Sequence, residues 1–234
     1  MSRGRRLLLF AVSIVVVVSA VGVGLQYDAD RVEHAAPVPE PLVPTANGGP
    51  VAVFLGDSYV SGAGASDPGK RWTSLVATDK IWTEENIGIG STGYALAAPG
   101  CGAELCGSFE EMAGSAVRLD PPIVVVGGGS NDFAEFVRDP TGVVNSIYNT
   151  MVTLRTGLPT ARIVAVGPSS AGDVPPFAAA YEGVVRDAVN AVQGEFVSLT
   201  EPDVVDEDVL ITDGVHVDDD GHAAIARAVV QALK

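Results

Sequence analysis

In the larger, C-terminal part of the chain, short runs of apolar residues alternate with longer segments of helical length. The runs 51–55, 123–126 and 162–166 consist almost entirely of Val, Ile, Ala, Leu and Phe. Such runs are typical of strands covered on both faces of a parallel sheet. Two further segments, 141–156 and 176–193, have the length and composition of helices. The alternation predicts a three-layer α/β/α sandwich with a mostly parallel, flavodoxin-like sheet, in which ligands bind at the carboxyl ends of the strands.

The first 25 residues follow a different pattern. Three arginines precede an uncharged, mostly apolar run over residues 7–25, and Val18-Ser19-Ala20 offers a small-residue cleavage site. This is the pattern of an export signal peptide. The run is also close to the ~20 residues that span a bilayer, so an uncleaved anchor with its arginines inside the cell fits equally well. Both alternatives predict export.

The segment 26–50 contains five prolines and little periodic apolar pattern, which is typical of an extended linker. We therefore expect a single folded domain over residues 51–234. Together with the leader, this organisation predicts an exported protein that is secreted, held in the cell wall or anchored in the membrane with its domain outside.

The net charge of the chain limits the classes of partner that we expect it to bind. Twenty-nine acidic residues face 14 basic ones, which gives a formal net charge of −15. Binding to phosphate groups needs clustered Lys and Arg side chains. Nucleic acid is therefore excluded as an expected partner.

Cys101 and Cys106 are the only cysteines of the chain. In an exported protein, two cysteines this close predict a small disulfide loop rather than two free thiols. They make a poor zinc site, because structural zinc usually takes four nitrogen or sulfur ligands. We expect a Cys101–Cys106 disulfide and no bound metal.

Three short segments carry the residues suited to acyl chemistry. Ser58 ends the segment Gly-Asp-Ser directly after the first apolar run, and Asn131 follows the second apolar run. Near the end of the chain, Asp213 precedes His216 by three positions, a spacing that can set the carboxylate against the imidazole. A serine nucleophile, a base, an acid that orients the base and an amide donor are what acyl transfer through a covalent intermediate requires.

In this order, the segments 56–58, 129–132 and 213–216 resemble the motifs of the SGNH, or GDSL, hydrolase family. The resemblance spans nearly the whole domain. It implies that Ser58 attacks an acyl carbonyl, that His216 carries the proton and that Asp213 orients the imidazole ring. It also implies that neither a metal nor an organic cofactor takes part.

The resemblance further implies an oxyanion hole built from the backbone amide of Ser58, the side chain of Asn131 and a glycine amide of another motif. The stretch 86–93 resembles that motif, yet counting from its first residue places Ser91 where the family has glycine. In a shifted register Gly90 is the donor instead. Both residues stay open at this stage.

Two competing interpretations are weaker. His222 is a rival base, but it follows an acidic run at a predicted helix start, where it is better suited to packing. The spacing Gly88-x-Gly90-x-x-Gly93 satisfies a dinucleotide-binding fingerprint, but it belongs to the second strand, and no ribose-binding acid follows at the required distance.

The sequence therefore predicts an exported serine carboxylic-ester hydrolase that acts through an acyl-enzyme on short-chain or carbohydrate- or lipid-linked acyl esters. Two alternatives remain: an acyltransferase that uses the same residues, and a catalytically silent domain that binds acylated glycan or lipid.

Overall fold

The computed structural model describes residues 48–99, 107–169 and 175–233. The leader, most of the proline-rich linker, Cys101 and Cys106 lie outside these ranges, so the expectations of export, of a linker and of a disulfide stay predictions. None of the helices in the described ranges has the length and hydrophobicity of a membrane-spanning segment.

The centre of the domain is a five-stranded sheet in which every neighbouring pair is parallel. The strand order is β2-β1-β3-β4-β5. The strands are β1 (Val51–Gly56), β2 (Thr83–Asn86), β3 (Ile123–Gly127), β4 (Arg162–Val166) and β5 (Glu195–Val197). The predicted α/β sandwich with a parallel sheet is thereby confirmed.

Seven α-helices connect and cover the strands in the described ranges. They are α1 (Ser58–Ser61), α2 (Trp72–Asp79), α3 (Phe109–Arg118), α4 (Phe133–Arg138), α5 (Pro140–Gly157), α6 (Ala178–Ala191) and α7 (Asp219–Ala232). The boundaries of the longer helices follow local chemistry. In α5, for example, Pro140 is the first residue and the carboxylate of Asp139 accepts a hydrogen bond from the Gly142 N–H.

Alternate side chains of each central strand enter two separate cores, because successive side chains of a strand point to opposite faces. Val53 and Leu55 of β1 contact the core under α3, α5 and α6. Ala52 and Phe54 of the same strand contact the core under α2 and α7. Since both faces are covered, β1, β3 and β4 must be apolar at nearly every position, which explains why the sequence predicts them well.

The register of the sheet brings two loops together at the carboxyl ends of β1 and β3. Gly56, at the end of β1, pairs with Gly127, at the end of β3. In the sheet, β2 pairs with one side of β1 and β3 pairs with the other side. The order of the strands therefore changes direction at β1. In open parallel sheets, ligands bind at such a change of direction, beyond the carboxyl ends of the strands. Ser58 and Asn131 therefore leave the sheet at neighbouring positions.

Candidate active site

Ser58 is the first residue of α1, a single helical turn that begins directly beyond β1. The preceding residue, Asp57, caps this turn, and its Oδ1 accepts a hydrogen bond of 3.0 Å from the Tyr59 N–H. The turn ends at Gly62, whose φ of 91° lies in the left-handed region that glycine adopts without strain. The Asp57 cap and the glycine that ends the turn thus fix the Ser58 backbone at the carboxyl end of β1.

The structure brings Ser58, His216 and Asp213 together across the domain. The Oγ of Ser58 lies 2.8 Å from Nε2 of His216. The other ring nitrogen of His216, Nδ1, lies 2.7 Å from Oδ2 of Asp213. A base that contacts the hydroxyl through one nitrogen and a carboxylate through the other has the arrangement that activates a serine nucleophile.

Asp213 is held as an anion by its own loop. Its Oδ1 accepts hydrogen bonds of 2.9 Å from the backbone N–H groups of Val215 and His216. These bonds, together with the contact to the His216 ring, lower the pKa of Asp213 to about 2. Although the side chain is 44% exposed, Asp213 therefore remains a carboxylate at the pH values at which an imidazole can act as a base.

Asn131 lies in the loop that follows β3. A hydrogen bond joins this loop to the loop that carries Ser58. The N–H of Gly129 donates a hydrogen bond of 3.1 Å to Oδ2 of Asp57. Gly128 and Gly129 both have a φ of 112°, and a Cβ atom at Gly128 would lie only 2.1 Å from Oδ2 of Asp57. Only glycine permits this close wrapping of the backbone around the carboxylate.

The side-chain amide of Asn131 is oriented by a neighbouring loop. Its Nδ2 donates a hydrogen bond of 2.8 Å to the carbonyl oxygen of Thr92. The hydroxyl of Thr92 donates in turn to the carbonyl oxygen of Ile89, at 2.6 Å. An asparagine amide has two N–H groups, so one of them fixes the side chain and the second can serve a ligand.

Both candidates for the remaining amide donor belong to the loop after β2. A Cβ atom at Gly90 would lie 3.7 Å from the Cβ of Ser58, so Gly90 is a near neighbour of that residue. Ser91 is exposed, and its φ of 64° is a left-handed conformation that favours glycine. Ser91 thus has the backbone conformation expected where the resembling family has glycine, while Gly90 is the near neighbour of Ser58.

Sequence reasoning missed two buried carboxylates in the site. Asp57 is only 1% exposed, and Asp132 is fully buried. Asp132 accepts hydrogen bonds from the backbone N–H groups of Tyr94 and Leu96 and from the hydroxyl of Tyr181. Each carboxylate directly adjoins a predicted site residue, Ser58 or Asn131. For Asp57, a charged residue directly after an apolar strand is the signal that could have revealed it.

The rival base is a packing residue in this structure. His222 is fully buried in α7. Its Nδ1 faces the backbone N–H of Trp72 at 3.4 Å, and its Nε2 faces the carbonyl oxygen of Ala63 at 3.1 Å. Burial lowers the pKa of the imidazole, which keeps the ring neutral. Both nitrogens are engaged by the backbone and neither contacts Ser58.

Within the described ranges, no group of three or more His, Cys, Asp or Glu residues is arranged to hold a metal ion.

Comparisons with known proteins show the family of the chain. The model of the GDSL-like lipase/acylhydrolase family matches residues 54–224, a range that includes all three motifs. A GDSL lipase of Mycobacterium tuberculosis is 29% identical over 193 residues, which cover 79% of this chain and 81% of that protein.

Solved structures with the same fold include two esterases that act on carbohydrates. A family two carbohydrate esterase from Cellvibrio japonicus aligns with a TM-score of 0.63 at 19% identity, over 83% of this chain and 62% of that one. A carbohydrate acetylesterase from Sinorhizobium meliloti aligns with a TM-score of 0.57 at 17% identity, over 78% of this chain and 98% of that one. At these identities the likeness shows a shared fold.

The buried Asp57 leads to a prediction about stability and pH. Burial, the largest cause, raises the pKa of this carboxyl from the ordinary value of 3.8 to about 6 in the folded protein. The folded state thus retains a proton that the unfolded chain loses between about pH 4 and pH 6. The contribution of Asp57 to the free energy of unfolding is therefore present at low pH and falls as the pH rises through this window.

Because Asp57→Asn removes this titration, the stability of the native protein relative to the variant should decline from pH 4 to pH 7. Since a difference of one pKa unit corresponds to about 1.36 kcal/mol, we expect this stability difference to decline by on the order of 1–3 kcal/mol. Urea unfolding of both proteins at each pH measures it. A stability difference that is constant or grows with pH contradicts the prediction.

Proposed function

The chain belongs to the GDSL-like lipase/acylhydrolase family and is a serine ester hydrolase, and we propose that it acts through an acyl-enzyme on Ser58. We further propose that it acts outside the cell and that its substrates are uncharged short-chain acyl esters, including those of carbohydrates. The observation that carries the mechanism is the contact of 2.8 Å between Ser58 Oγ and His216 Nε2. The leader sequence is the basis for the proposed export.

In the first half of the proposed reaction, Ser58 Oγ forms a bond to the acyl carbonyl carbon while its proton moves to Nε2 of His216. The carbonyl oxygen becomes an oxyanion. When this tetrahedral intermediate collapses, the bond from carbon to the alcohol oxygen breaks and His216 returns the proton to the departing alcohol. Asp213 stabilises the imidazolium throughout, since its lowered pKa keeps it negatively charged.

In the second half, water takes the place of the alcohol. His216 removes a proton from the water as its oxygen attacks the acyl-enzyme, and the proton then returns to Ser58 Oγ as the acid leaves. The oxyanion of each half-reaction accepts hydrogen bonds from the second N–H of Asn131, from the Ser58 amide and from an amide of the loop that contains Gly90 and Ser91. Donors held in place before the reaction stabilise this charge at little reorganisation cost.

Two features support an uncharged substrate. From Glu201 to Asp220, the segment that contains the proposed base and ends with the first two residues of α7 carries nine acidic residues and neither Lys nor Arg. A field of this sign disfavours an anionic ester at the same edge of the sheet. The carbohydrate esterases with the same fold are consistent with an acylated sugar as the substrate.

Replacing the proposed nucleophile tests the mechanism directly. Ser58→Ala should abolish ester hydrolysis and covalent labelling by a serine-directed phosphonate, because no other described hydroxyl contacts His216 in this structure. Peptide mass mapping should locate the phosphonate on Ser58 in the native protein. Ser66→Ala removes an exposed hydroxyl that bonds Asp219 and serves as the matched control. Native-level hydrolysis by the Ser58→Ala variant would favour a silent binding domain.

The substrate proposal is tested with p-nitrophenyl esters of increasing acyl length and with an acetylated oligosaccharide. We expect kcat/KM to be highest for two to four acyl carbons and to fall for a succinyl ester of similar length. Added salt should reduce the difference between the succinyl and butyryl esters, since salt screens exposed charges. A preference for the succinyl ester would contradict the proposal. Appearance of the acyl group on a sugar acceptor, rather than as free acid, would identify a transferase.

Asn131 provides a separate test of the oxyanion site. Removing one such donor typically lowers kcat by about 10²–10³. Asn131→Ala should lower kcat by this factor with little change in KM, because the hydrogen bond strengthens only in the transition state. Asn131→Asp should be at least as damaging, since it sets a negative charge against the oxyanion. A raised KM with an unchanged kcat would instead make Asn131 a binding or turn residue.

A further inference from the structure

We propose that Tyr59 is a positioning residue that holds the loop of the base in place against the nucleophile. The inference rests on the proposed function, in which His216 carries a proton to and from Ser58. The phenol hydroxyl of Tyr59 donates a hydrogen bond of 2.6 Å to the carbonyl oxygen of Val215, the residue directly before His216. The two aromatic rings also lie side by side, with 5.7 Å between the centroids of Tyr59 and His216.

The loop of the base depends on few contacts with the rest of the domain. Residues 212–215 are all exposed, and Val215 retains 58% of its accessible surface. Most hydrogen bonds of the loop stay within it, such as those from Ile211 N–H to the carbonyl oxygen of His216 and from Gly214 N–H to that of Ile211. These bonds give the loop its shape and leave its position relative to Ser58 undetermined.

Among the described residues, two hydrogen bonds join residues 211–217 to parts of the domain that precede this loop in the chain. One is the contact between Ser58 and His216, and the other is the bond from Tyr59 to Val215. The first changes during every proposed catalytic cycle, because the Ser58 proton leaves and the oxygen becomes part of an ester. The bond from Tyr59 is thus the one that can persist while Ser58 is acylated.

Tyr59 is itself rigidly placed. Its side chain is only 6% exposed, and its backbone N–H is bound by Asp57. Ser169, a buried residue of the loop after β4, lines the same small cavity as Tyr59. The phenol is therefore held within the domain while it donates to the loop of the base. Burial also raises the pKa of the phenol, which keeps it protonated as a donor.

Tyr59 can position the base relative to the nucleophile because it is the neighbour of Ser58 in the sequence. Tyr59 is covalently next to Ser58 in the same helical turn, so any displacement of this turn moves the nucleophile and the attachment point of the base together. A misplacement of about 1 Å in reacting groups can cost ~10²-fold in rate. A residue that ties both partners to one turn limits such a displacement.

The variant Tyr59→Phe keeps the ring and removes only the hydroxyl. We expect kcat to fall by about ten- to a hundredfold with KM nearly unchanged. Tyr148→Phe, which alters a tyrosine of α5, is the matched control and should retain native kcat. Replacement of Tyr59 by p-aminophenylalanine restores a donor at the same point of the ring and should recover most of the lost rate.

A double-mutant cycle separates positioning from stability. In a His216→Ala background there is no base to position, so adding Tyr59→Phe should lower the residual rate less than twofold, although it lowers the native rate at least tenfold. Equal effects in both backgrounds would overturn the proposal, as would native kcat in Tyr59→Phe. Should Tyr59→Phe fail to fold, the p-aminophenylalanine variant still decides the matter, because restored folding without restored kcat overturns the proposal as well. Failure of the proposed function appears separately, as native-level hydrolysis by Ser58→Ala.

Discussion

The buried carboxylate of Asp57 is the interaction on which the rest of the site depends. One of its oxygens binds the Tyr59 N–H at the exit of β1, and the other binds the Gly129 N–H at the exit of β3. Burying a carboxylate is costly unless hydrogen bonds replace the lost water. The bond from the Gly129 N–H forms only when the two loops lie side by side, so the cost of burying this group favours one relative placement of Ser58 and the loop of Asn131.

Two aspartates of the site show opposite electrostatic behaviour for opposite structural reasons. Asp57 loses nearly all its water and has two backbone donors, so burial outweighs hydrogen bonding and its pKa rises to about 6. Asp213 keeps much of its water and gains two backbone donors and an imidazole, so its pKa falls to about 2. The exposed aspartate is therefore the one suited to stay ionised beside an imidazolium in the proposed mechanism. The buried one organises the backbone.

The sequence was sufficient for the central strands because β1, β3 and β4 are covered on both faces and must be continuously apolar. It was insufficient for β2, whose residues Thr83–Asn86 are polar and half-buried at the sheet edge, and for β5, which has only three residues. The three motifs identified Ser58, Asn131, Asp213 and His216, since acyl chemistry restricts those residue types. Tyr59 could not be found in this way, because nothing in a sequence shows that its hydroxyl reaches a carbonyl 156 positions later.

The site thus has two parts with different mechanical properties. Ser58 and Asn131 belong to loops bound by the buried carboxylates of Asp57 and Asp132, and these loops lie directly on the sheet. His216 and Asp213 belong to an exposed loop whose hydrogen bonds are mostly its own. In the proposed reaction the first part must hold a developing charge at fixed donors, which requires rigidity. The second part must pass a proton between serine, alcohol and water, and it needs only a constant position relative to the serine. A single persistent hydrogen bond from the residue next to that serine is the least restrictive way to provide it.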